Sequence, residues 1–114
     1  MRSEHLPFAT IEVIPHHRQL YDTPGDYFEH SPGVVHFRVS ELPNPDFELA
    51  VLVHEILEHY EIKKKGITIE EIEKFDKEHI DHPDPGSIPG APYHESHMWA
   101  ESIERKIIDR YGHT

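Results

Sequence analysis

The sequence predicts an α+β fold, a small N-terminal antiparallel sheet followed by three helices in one domain spanning 1–114. Three observations carry that expectation. A chain of 114 residues with 36% apolar side chains has room for one modest, lean core. Its first third alternates β-branched segments with turn residues. The remainder repeats its apolar positions every three or four residues between recognisable helix caps.

Thr10–Ile14 reads as a short strand closed by Pro15. Arg18–Tyr21 and Tyr27–His30 flank Thr23-Pro24-Gly25-Asp26, in which proline followed by glycine suits a tight turn. From Gly33 to Ser40, Val35, Phe37 and Val39 alternate with His36 and Arg38, the pattern of a half-buried strand. Asn44-Pro45-Asp46 then supplies an N-cap, a proline at the first helical position and an acid in the first turn. The helix it opens runs to Lys65, with Leu49, Val53, Ile56 and Tyr60 as its apolar stripe and Gly66 as its stop. Thr68 and Glu71 form a capping box for a second helix ending near His79–Asp81, whose inward face is Ile69, Ile72 and Ile80. His82–Pro92 holds four prolines and two glycines and is a stiff connection. The third helix, from about Tyr93 to Tyr111, carries Trp99, Ile103 and Ile107 at four-residue steps.

Charge narrows the function. Twenty-two acidic against eleven basic side chains give a net charge of −11, which argues against nucleic acid and anionic membranes as partners. No apolar run approaches the ~18 residues of a spanning helix, and no signal-like segment opens the chain. Without cysteine there is no disulfide, thiolate nucleophile or cysteine-type zinc site; a cytoplasmic compartment is the expectation. The unusual number is twelve histidines. A lean, acidic, histidine-rich domain either leaves imidazoles on its surface or gathers some around a metal.

Residues 51–60, VLVHEILEHY, hold the strongest candidate. His54 and Glu58 leave one helix face a turn apart, so an imidazole nitrogen and a carboxylate oxygen can grip one divalent ion. Glu55 sits where H-E-x-x-H metalloproteases keep their general base, although position 58 is Glu and the next histidine, His59, falls one residue late. A second register pairs Glu55 with His59, and an exposed polar helix face explains either pair without a metal. Asp76 falls within the inward stripe of the second helix, where a bare charge costs several kcal/mol, so it needs a cationic partner or a metal. A salt bridge to Arg105 or Arg110 is the alternative. His97, at the rim of the third helix's stripe, completes a mixed set of His54, Glu58, Asp76 and His97 suited to zinc first, or to manganese or iron. His94 is in reserve.

The stretches Val53–Glu58, Gly66–Asp76 and Asp84–Arg105 resemble a family of small uncharacterised phage and bacterial proteins with an H-E-x-x-E helix. That resemblance implies no activity; it emphasises His54, Glu55, Glu58, Asp76 and His97, and favours the His54/Glu58 register. A sheet followed by such a helix also resembles a minimal zincin-type metalloprotease. This second likeness implies a peptide or small-molecule substrate, Glu55 as general base, and Gly33–Ser40 as the strand along which a substrate lies. The rivals are a domain closed around a structural ion, since structural zinc takes four protein ligands and catalytic zinc three, and an acidic inhibitor of a basic partner.

Overall fold

The computed structural model describes residues 9–20, 22–31 and 33–113. The fold is α+β, with a three-stranded sheet followed by three helices. The strands are β1 (Ala9–Ile14), β2 (Gly25–Ser31) and β3 (Val34–Ser40), and the helices are α1 (Pro45–Lys64), α2 (Ile69–Glu78) and α3 (His94–Arg110).

The sheet is mixed rather than antiparallel. β2 and β3 form the antiparallel hairpin, but β1 pairs with the other edge of β3 in parallel, from Ala9↔Val35 to Ile14↔Ser40. The reason lies in the connection. β1 ends and β2 begins at the same end of the sheet, opposite Ser40 and Val39. Residues 15–24 must therefore span two strand spacings, about 10 Å, and leave a gap that β3 fills. They do so with a 3-10 turn at His16–Arg18, where a strand over Arg18–Tyr21 was expected; Tyr21 lies outside the described residues. Ser40 N–H to the Pro24 carbonyl and Glu41 N–H to the Ile14 carbonyl tie this end together. β3 is thus the central strand with both edges paired, so Gly33–Ser40 cannot take a substrate by strand addition.

Val35, Phe37 and Val39 are buried under the helices, as their alternation requires. α1 starts at the Asn44 cap, whose side chain accepts from Asp46 N–H, and Gly66 follows its end with φ 75°. Its buried face, however, is Ala50, Val51, His54, Glu58, His59 and Ile62. Leu49 and Tyr60, the ends of the expected stripe, are 43% and 52% exposed. The helix is wedged between sheet and α3, and its apolar residues surround most of its girth. Several stripes can be drawn on such a helix, and a purely hydrophobic reading picks the one that omits His54 and Glu58.

The other helices show the same bias. In α2, Ile72 is buried and Thr68 caps Glu71 N–H, but Ile80 lies beyond the helix and is 66% exposed. In α3 the buried positions are the small residues Ser96 and Ala100, while Trp99 is 44% exposed. With Ala50 also fully buried on α1, small side chains let two helices approach closely and leave the adjacent face, His97, Glu101 and Glu104, at the rim of the contact. The core proper is Tyr27, Val35, Phe37, Ile62, Ile72, Ala91 and Tyr93.

Candidate metal centre

His54 and Glu58 project from α1 toward α3, where they meet His97. His54 Nε2 lies 3.0 Å from Glu58 Oε2, His97 Nδ1 lies 2.8 Å from the same oxygen, and the two nitrogens are 3.2 Å apart. Their residues form one group able to hold a metal ion, two of them buried. The spacing passes a simple fit test. Three ligand atoms 2.8–3.2 Å apart are close enough together for one ion to reach all of them at the roughly 2.0–2.2 Å of zinc–nitrogen and zinc–oxygen bonds.

Each of the three is also held from behind. The second nitrogen of His54, Nδ1, is 2.7 Å from Glu104 Oε1, a close ion-pair contact more than an aligned hydrogen bond. The second nitrogen of His97, Nε2, is 3.0 Å from Asp84 Oδ1. Glu58 accepts a 2.9 Å hydrogen bond at Oε1 from the Tyr27 hydroxyl, leaving Oε2 to face the histidines. Metal-bound histidines almost always place a carboxylate, carbonyl or water on their other nitrogen, which fixes the ring and its tautomer. Glu104, Asp84 and Tyr27 were not singled out from the sequence. The i,i+7 step from His97 to Glu104 on α3 is the one local signal that points to any of them.

Two glycines make the approach possible. A Cβ on Gly86, in the loop before α3, would stand 2.6 Å from His97 Cγ and 2.7 Å from the Tyr93 ring. A Cβ on Gly25, where β2 begins, would stand 2.8 Å from Glu55 Oε1 and from Val51. Both positions let backbone run against side chains of the centre.

The centre opens on a cleft of about 470 Å³ walled by the start of β2, α1, α2, the 82–85 loop and α3. Glu55 lines it beside His54 and Glu58, as do Asp26, Glu73 and Asp76; among the described residues no lysine or arginine does. Asp76 is not in the three-residue group. It accepts a hydrogen bond from the Tyr93 hydroxyl at 2.5 Å, which is its partner in place of Arg105 or Arg110. His59 turns away from the cleft to pack edge-on against Tyr27 and Phe37, so the Glu55/His59 register does not form a site. His94 Nδ1 is taken by the Gly86 carbonyl at 3.0 Å.

Electrostatics follow from burial among carboxylates. Burial alone would lower the His54 pKa, but Glu104 and Glu58 outweigh it and raise it to about 10. His97 rises to about 10 against the same burial because Asp84 and Glu58 hold its charge. Burial pushes Glu58 up, and the two histidines more than reverse that, leaving it below the ordinary range. For Glu55 the charges of His54 and His97 compensate only in part. Burial, then the Glu58 charge, lift it well above the usual carboxylate value. Asp26 rises to about 6, chiefly through burial. The cleft therefore holds more carboxylates than its own cations neutralise, the condition in which a dication is welcome.

Among the described residues, no helix is long and apolar enough to cross a membrane. Comparison with protein-family models, with curated proteins and with solved structures finds no match to this chain.

Proposed function

We propose that this chain binds one divalent transition metal at His54, Glu58 and His97, with zinc the first candidate and manganese or iron next, and uses it to hydrolyse a peptide or small-molecule amide. The observation that carries the reading is the three-ligand geometry with every ligand oriented from behind and a cleft on its open side. Catalytic zinc keeps three protein ligands and a vacancy, whereas structural zinc is closed by four. Asp76, the residue that would close the set, is engaged by Tyr93.

A bound ion of this kind would polarise a carbonyl and lower the pKa of its water. The chain's own residues do the rest. Glu55, lining the cleft one position from His54, accepts the proton of that water and returns it to the leaving amine. Its burial raises its proton affinity, which suits a base that must also act as an acid. Tyr27 keeps Glu58 turned to the ion, and the Tyr93–Asp76 pair offers polar atoms on the substrate side of the cleft.

The test is metal content and turnover measured together. Protein purified without chelator and offered zinc should retain close to one ion per chain, and should hydrolyse some member of a peptide and amide library. Glu55→Gln should keep the ion and lose turnover. A wild type that holds its ion and hydrolyses nothing would remove the hydrolase reading and leave a metal-stabilised domain.

A further inference from the structure

A second group stands beside the first. Asp84, His97 and Glu101 have ligand atoms within 4.8 Å of one another, and all three are partly exposed where the inner pair His54 and Glu58 is buried. His97 belongs to both groups, with Nδ1 turned to Glu58 and Nε2 turned to Asp84. Glu101 follows His97 by four residues, so α3 repeats on its cleft face the His-x-x-x-Glu spacing of α1. Its present partner is Arg105 at 3.3 Å, whose side chain is 74% exposed, a pair weak enough for a dication to replace.

Two physical facts turn this second group into a step. A neutral imidazole has one free lone pair, so His97 can ligate through Nε2 or Nδ1 but not both. The inner ligands His54 and Glu58 are only 6% and 5% exposed, so an ion must give up several of its waters to be held by them, and removing water from a dication is costly. We propose that Asp84, His97 and Glu101 form an outer cation station, at which a divalent ion exchanges water for protein ligands before it passes around the His97 ring to the inner site. This rests on the metal-centre reading above, and it adds that the two groups are occupied in turn by one ion.

Stopped-flow mixing with Co²⁺, followed by its d–d absorption, tests the station. Glu101→Gln should slow uptake and chelator-driven release alike by about tenfold and leave the Co²⁺ dissociation constant within twofold. The reason is that the station lies on the path and at neither end of it. Glu101→Asp keeps the charge but shortens the reach, and should also slow both steps, which separates ligation from the cleft's general field. Glu70→Gln, on an exposed position of α2, should change neither rate. Unchanged rates in Glu101→Gln, slowed uptake with normal release, or full recovery in Glu101→Asp would each overturn the station while the inner site stands. A wild type that takes up no Co²⁺ would overturn both.

Discussion

Gly86→Ala probes the centre without touching a ligand. The backbone at Gly86 is not in the left-handed region, so alanine is tolerated there and the whole effect comes from its methyl group. That methyl would stand 2.6 Å from His97 Cγ and 2.8 Å from His97 Nδ1, the atom that faces Glu58. Ordinary carbon contacts begin near ~3.5 Å, so loop and ring must separate by roughly 0.9 Å. A binding constellation tolerates about 0.5 Å. The loop is held by the His94–Gly86 carbonyl contact and its own prolines, which leaves the ring to move. Overpacking of this size costs about 1–3 kcal/mol of stability, and misplacing one ligand of three should weaken metal affinity by about 10- to 100-fold. Zinc affinity by competition with a chromophoric chelator, alongside a melting curve of the metal-free protein, measures both. Metal affinity within twofold of wild type would refute the reasoning, since His97 would then not need its observed position.

Four further outcomes follow from the same geometry. With carboxylates raising His54 and His97 to about 10, zinc binding at pH 7.5 should release more than one proton per ion, read by calorimetry in buffers of different ionisation enthalpy; release well below one proton would contradict the raised histidine values. The sign for stability is the reverse of the sign for affinity: with folded pKa values of about 10 against 6.5 for the free side chain, the metal-free protein keeps this stabilisation below pH 6.5 and loses it as pH rises through about 10, whereas zinc affinity climbs over that window. Glu104→Gln should cost about 10- to 100-fold in zinc affinity with little change of fold, by removing the carboxylate behind His54, and Glu55→Gln should raise the melting temperature above pH 7 by a few degrees, roughly 0.5–1 kcal/mol, because burial and the Glu58 charge outweigh the attraction of His54 and His97 for the Glu55 carboxylate.

What the amino-acid sequence determined by itself is local. The caps at Asn44 and Thr68, the stop at Gly66, the alternation of Val35, Phe37 and Val39, and the one-turn spacing of His54 and Glu58 all involve residues within four positions of each other, where backbone geometry alone dictates who meets whom. The His54–Glu58–His97 grouping was legible only because two of its members share a helix turn. What the tertiary structure decided is every question of facing. It set β1 parallel to β3, turned the His54/Glu58 side of α1 inward in place of the Leu49–Tyr60 stripe, gave Asp76 to Tyr93, and brought Glu104, Asp84 and Tyr27 behind the ligands across separations of up to fifty residues. Hydrophobic periodicity reports which side of a helix avoids water when one side does. It is silent when a helix is enclosed on two sides and when the buried side is polar because charges there hold one another, and such a side is where the candidate metal ligands His54 and Glu58 lie.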